Sequence, residues 1–87
     1  MGERKKSLQV AVGEQVRLQR LSRGLSLAHL AHIIGVSEAE LAAYERGDKR
    51  ISSGVLWDLA EALDVPLSSL FETYEPGQPR NGETRQE

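Results

Sequence analysis

The sequence contains no cysteine, which excludes a disulfide framework and any thiolate-ligated zinc or iron–sulfur centre. Its aromatic residues are limited to Tyr44, Trp57, Phe71 and Tyr74, so a core has to be built mainly from aliphatic side chains. No apolar run approaches the roughly 18 residues that a membrane span requires. Basic residues 1–6 are followed by no apolar signal segment, which makes the cytoplasm the default location and no membrane partner expected. A glycine-rich phosphate loop after a strand is also missing, and nothing sets a base beside an exposed nucleophile. No enzymatic reaction, catalytic residue or cofactor is therefore expected. His29 and His32 are spaced for one helix face, but with no third ligand near them in sequence they imply no metal. What remains, in 87 residues, is enough chain for one domain.

The net charge of −2 argues at first against a nucleic-acid partner. Its distribution argues the other way. Residues 1–35 carry about +4, residues 36–50 carry −1, and residues 51–87 carry −5. A basic amino-terminal part joined to an acidic remainder can still present a surface to phosphate.

Apolar periodicity and punctuation predict a series of short helices. Leu8, Val12 and Val16 recur at helical spacing over Leu8–Ser22, and Leu18 and Leu21 are read as extending that face. Gly24 is suited to the left-handed conformation that closes a helix. Ser26 caps a second helix, Leu27–Ile34, and Ser37 a third, Glu38–Arg46, which ends at Gly47. A fourth covers Ser53–Leu63 and is stopped by Val65 and Pro66. A fifth short helix covers residues 67–72. Residues 1–7 read as a basic flexible arm, for which Arg4, Lys5 and Lys6 leave two readings open, contact with a nucleic-acid partner or a solvated, frayed terminus. Residues 8–72 form the helical domain, and residues 73–87, rich in proline, glycine and charge, are expected to be disordered.

The informative junction is Gly35 and Val36. Ala31 before it and Leu41 after it fit two helices crossing steeply at a tight turn, which is the geometry of a helix-turn-helix. The wider string is more specific. Val16-Arg17-Leu18-Gln19-Arg20, Gly24-Leu25-Ser26, Leu30-Ala31, Gly35-Val36-Ser37, Leu41, Tyr44-Glu45-Arg46-Gly47, Leu59-Ala60-Glu61-Ala62-Leu63 and Val65-Pro66-Leu67 occur in order. Over about two-thirds of the chain this resembles the Cro/C1-type (Xre-like) helix-turn-helix family of phage repressors and bacterial regulators.

The resemblance implies an all-α, compact five-helix lambda-repressor-like domain whose recognition helix covers about residues 37–46. It implies an internal ion pair between Arg20 and Glu45 that orients Arg46 and the loop beyond. Arg46, Lys49 and Arg50 fall where the family's loop follows the phosphate backbone. The amides near Leu27, and Ser37, are further phosphate candidates at helix starts. In the family the last two helices make the two-fold contact, so Trp57, Pro66, Leu67, Leu70 and Phe71 become dimer-interface candidates; plain core is the competing reading for Trp57 and Leu70.

Two positions depart from the family pattern. Leu27 stands where glutamine is frequent, and the third helix carries no Gln, Asn, Lys or Arg before Arg46. Direct base contacts are then restricted to Glu38 accepting from cytosine, Ala39, Ala42 or Ala43 against thymine methyls, and Arg46. The remaining specificity is assigned to DNA shape. Ser37 and Glu40 also match a capping box, and the helix dipole favours Glu38 where it stands, so neither glutamate requires a base.

The expected function is a sequence-specific DNA-binding transcriptional regulator, a repressor acting as a homodimer on a two-fold operator in double-stranded DNA. The alternative is a helix-turn-helix module that binds a protein partner, antitoxin-like or a co-regulator, with weak DNA affinity. The acidic third helix favours the second reading; Arg46, Lys49 and Arg50 favour the first.

Overall fold

The computed structural model describes residues 7–72. The basic residues proposed as an arm and the tail proposed as disordered lie outside the described residues, apart from Ser7. That serine is the N-cap of the first helix, where its hydroxyl accepts from the Val10 amide at 3.2 Å.

Four α-helices follow in order: α1 (Leu8–Ser22), α2 (Leu27–Ile34), α3 (Glu38–Arg46) and α4 (Ser53–Leu63). The described residues contain no strand. Each helix starts by the same chemistry. Ser7, Ser26, Ser37 and Ser52 are extended, and each hydroxyl accepts from the amide three residues on. This satisfies one of the amides that a helix start leaves without a partner.

The helix ends are equally uniform. Leu25 N–H reaches Arg20 C=O, Val36 reaches Ala31, Asp48 reaches Ala43 and Val65 reaches Ala60, each at 2.9–3.1 Å. The turning residues are Gly24, Gly35, Gly47 and Asp64, all at positive φ. This is the Schellman closure, in which a left-handed residue folds the chain back onto its own last turn. Asp64 does at α4 what glycine does elsewhere, so α4 ends one residue before Val65 and Pro66.

Beyond Pro66 the chain forms not a fifth α-helix but a 3-10 helix, Leu67–Phe71. Ser69 N–H bonds to Pro66 C=O at 2.9 Å, three residues back, and no side chain caps the start. Five residues form too few i→i−4 bonds to offset the cost of starting an α-helix, and the tighter turn suffices to place one anchor.

That anchor is Leu70, which is fully buried. It joins Val12, Val16, Leu30, Ala31, Leu41, Tyr44, Leu59, Ala60 and Leu63 in one core. Leu70 is therefore core, and it leaves the set of candidate interface residues. A fully buried leucine contributes roughly 1.5–3 kcal/mol, so this one side chain holds the short segment in place. Helix α1 packs on α3 and the 3-10 helix, while α2 packs on α3 and α4.

The apolar face assigned to α1 needs correction. Leu18 and Leu21 are 51% and 49% exposed. They lie two and five residues beyond Val16, which at 100° per residue carries both away from the core side. The buried stripe instead runs through Ala11, Val12, Gln15, Val16 and Arg20, with Gly13 beside it. No helix among the described residues is long and apolar enough to cross a membrane.

Candidate nucleic-acid interface

The α2–α3 junction turns at Gly35, whose φ of 79° lies in the left-handed region that glycine enters without strain. Ser37 then starts α3, its hydroxyl accepting from Glu40 N–H at 3.0 Å. Leu41, Tyr44 and Glu45 turn inward. By helical geometry the opposite side carries Ala39, Ala42, Ala43 and Arg46, with Glu38 at its edge. Ala39, Glu38 and Arg46 are exposed, and Ala42 and Ala43 are half-buried. The five base-reading candidates thus share one solvent-facing strip. At the start of α2, Ser26 accepts from His29 N–H at 3.0 Å, which leaves the first-turn amides at Leu27 and Ala28 without an intrahelical acceptor.

The orientation of α3 is set from α1. Arg20 Nε donates to Glu45 Oε2 at 2.7 Å and Arg20 Nη2 donates to Glu45 Oε1 at 3.0 Å. Arg20 Nη1 donates to the Leu25 carbonyl at 2.9 Å, so one guanidinium ties α1, α3 and the entry to α2 together. Arg20 is 8% exposed and Glu45 9%. The hydrogen bonds from Arg20 to Glu45 raise the guanidinium pKa above its ordinary value, with burial opposing.

Two further contacts between these helices were not anticipated from the sequence. A Cβ on Gly13 would run into the backbone carbonyl of Tyr44 and would lie 2.8 Å from that of Glu45. The backbone of α1 therefore approaches the last turn of α3 at a distance only glycine permits. Gln9 Nε2 also donates to the Gly47 carbonyl at 2.9 Å and holds the turn that ends α3. A glycine inside an otherwise helical pattern is a recognisable sign of close approach; nothing comparable marks Gln9.

The last residue of α3 and the loop after it carry three cations in unequal states. Arg46 Nε donates to Asp48 Oδ2 at 2.8 Å. Lys49 Nζ donates to Glu40 Oε2 at 2.8 Å. The Tyr44 hydroxyl donates to the same Glu40 oxygen at 3.1 Å, and the Lys49 ammonium stands 5.8 Å from the Tyr44 ring centroid. Arg50 is exposed and forms no ion pair among the described residues.

The capping box is thus formed from the serine side, while the Glu40 carboxylate is engaged chiefly by Lys49 and Tyr44. Their hydrogen bonds, Lys49 first, hold the Glu40 carboxyl below the ordinary carboxylate range. The same contact raises Lys49. Tyr44 is raised first by burial and then by its bond to Glu40.

The remaining candidates fall in separate places. Trp57 is 58% exposed, and with Pro66 and Leu67 it lines a shallow groove beside Glu61 and Asp64. Phe71 is half-buried and borders a different groove, together with Leu8, Gln9, Arg50 and Ile51. His29 and His32 are both exposed, and no cluster of three metal-ligating side chains exists among the described residues.

A family model described as helix-turn-helix matches residues 16–70. An uncharacterized transcriptional regulator in the ATPase CF(0) region of Rhodospirillum rubrum is 44% identical over 70 residues, which cover 80% of this chain and 65% of that protein. The chain spans about a third to two thirds of the length of the curated relatives it matches. Among solved structures, the clp gene regulator ClgR from Corynebacterium glutamicum superposes with a TM-score of 0.78 at 30% identity, covering 80% of this chain and 74% of that one. SinR, a master regulator for biofilm formation solved in complex with DNA, superposes with a TM-score of 0.65 at 30% identity, covering 69% of this chain and 97% of that one.

Proposed function

The chain belongs to the helix-turn-helix family, and from that premise we propose that it is a sequence-specific DNA-binding transcriptional regulator, a binding protein rather than an enzyme. The observation that carries the proposal is the strip on α3. Ala39, Ala42, Ala43 and Arg46 face solvent together, while Arg20, bonded twice to Glu45, fixes the helix from behind. Two turns of rigidly held small side chains suit close approach to base edges in a major groove.

In this reading Leu27 and Ser37, through the amides at the starts of α2 and α3, and the side chains of Arg46 and Arg50 meet phosphate, with Lys49 beside them and bonded to Glu40. Arg46 or Glu38 reads a base, and thymine methyls meet the alanines. The chain acts as a homodimer through the surface that contains Trp57, Pro66 and Leu67, on half-sites about one helical turn or 34–36 Å apart. Repression follows from occupying a promoter. Residues 8–72 supply the DNA-binding domain.

The test starts by selecting genomic fragments with the purified protein and titrating the best one at several salt concentrations. Arg50→Ala is expected to weaken binding to every duplex and to reduce the salt slope by about one unit. Ala43→Glu, at the centre of the strip, is expected to abolish binding while the circular dichroism spectrum stays that of the parent. Unchanged affinity in both variants would overturn the assignment of this surface. The pairing of Arg46 and Lys49 by carboxylates favours a second reading, a protein-binding module with weak DNA affinity. Its signature is uniform weak binding that disappears near physiological salt.

A further inference from the structure

Of Arg46, Lys49 and Arg50, the first two are already held by carboxylates of the same surface, and the Glu40–Lys49 pair is the more elaborate. Glu40 lies in the first turn of α3, and Lys49 lies past Gly47 in the following loop. The 2.8 Å bond between them therefore folds the loop back along the recognition helix. Tyr44, one turn after Glu40, donates its hydroxyl to the same oxygen and places its ring near the ammonium. A glutamate in a first helical turn is explained by capping or by the dipole. Neither explains why the carboxylate is directed to a lysine in the loop beyond the helix.

Resting on the DNA-binding reading above, we infer that Glu40 is an internal competitor for DNA phosphate, holding Lys49 so that this cation adds little to sequence-independent affinity. A phosphate and the Glu40 carboxylate offer Lys49 the same kind of partner, and the carboxylate is always present. The pair is half exposed, so water and salt weaken it and the competition is modest. Its consequence is independent of sequence, because general duplex affinity depends on the number of cations released to phosphate. Contacts made by the α3 strip do not pass through Lys49. Glu40 thus lowers the affinity for any duplex without touching a base, and leaves base readout to the strip.

The experiment is fluorescence anisotropy of the full chain on a random-sequence duplex and on the selected duplex, between 50 and 200 mM salt, a range over which phosphate contacts dominate the response. Glu40→Gln is expected to bind the random duplex about 2- to 5-fold more tightly, the worth of an exposed ion pair. Its log–log salt slope should steepen by about 0.9, one added phosphate contact. The gain on the selected duplex should be of the same size, because a phosphate contact does not depend on sequence.

Two controls separate the mechanism from simple loss of a negative charge. Asp58→Asn removes an exposed negative charge on α4 without freeing Lys49, and should leave the slope unchanged. In a Lys49→Met background, Glu40→Gln should no longer steepen the slope. The cap of α3 uses the Glu40 backbone amide, so the substitution leaves helix initiation intact. Weaker binding by Glu40→Gln, an unchanged slope, or a full gain in the Lys49→Met background each overturns the competitor role. DNA binding that responds to Arg50→Ala but not to Glu40→Gln overturns that role alone; binding indifferent to both Arg50→Ala and Ala43→Glu overturns the DNA-binding reading and the competitor role with it.

Discussion

Glu45→Ala is expected to destabilise the domain by roughly 3–5 kcal/mol, the cost of leaving one partner of a buried ion pair alone. The Arg20 side chain is 10% exposed and gives two of its donors to Glu45, at 2.7 and 3.0 Å. With the carboxylate gone, the guanidinium keeps the Leu25 carbonyl at 2.9 Å as its one protein acceptor. Water cannot replace the lost bonds without opening the α1–α3 contact. Glu45 also lies in the last turn of α3, where the helix dipole disfavours an anion. The pair thus offsets two costs, one on each helix. Urea denaturation measures the effect, and a loss below about 1 kcal/mol would place the pair among ordinary surface bridges. Replacing both residues, as in Arg20→Met with Glu45→Leu, is expected to recover most of the loss, because apolar side chains of similar volume need no partner. Recovery of stability without recovery of DNA binding would assign the pair to orienting α3 rather than to holding the fold.

The second large effect is a reversal of sign. In an ordinary exposed helix, Gly→Ala stabilises by about 1 kcal/mol, because alanine restricts the unfolded chain more. Gly13→Ala is expected instead to destabilise by about 2–3 kcal/mol, in the upper range of overpacked substitutions. The added methyl meets the Tyr44 and Glu45 carbonyls, which are backbone atoms near the closure of α3 and cannot rotate aside as a side chain would. A shift on the order of 10–20 °C in melting temperature corresponds to that loss for a domain of this size. Thermal denaturation of Gly13→Ala beside Gly54→Ala makes the comparison internal. A Cβ on Gly54 meets nothing within 4 Å, so that variant should be neutral or stabilising. Stabilisation by Gly13→Ala would mean that α1 and α3 stand further apart than described.

The two residues show where reading the chain residue by residue stops. Periodicity placed Val12 and Val16 inward, and serine and glycine marked the helix limits, because caps and left-handed closures are local chemistry written within four or five residues. Arg20 and Glu45 were paired through the family resemblance; their charges alone do not select each other from a chain that is 28% charged. Leu18 and Leu21 are apolar yet face water, because hydrophobicity alone does not carry the angle each position takes around the helix. For Leu70, spacing cannot separate a core residue from an interface residue, since both are apolar and only burial distinguishes them. The partners of Lys49 and Arg46 were equally invisible, because a cation near the expected phosphates looks the same whether or not a carboxylate has already taken it.

By itself, then, the amino-acid order determined the all-helical class, the four α-helices with the serine starts at Ser26 and Ser37, the tight turn at Gly35 and the family to which the chain belongs. Each of these depends on neighbours within a turn or two, or on a pattern of residue types. Tertiary structure alone decided that Gly13 marks a contact between backbones, that Leu70 is the anchor of a 3-10 segment, and that α3 presents a strip of small side chains. It also decided that Lys49 is engaged and Arg50 is free of ion pairs among the described residues. Those facts depend on distances between residues up to several dozen positions apart, which the packing of α1 against α3 sets and no local propensity encodes.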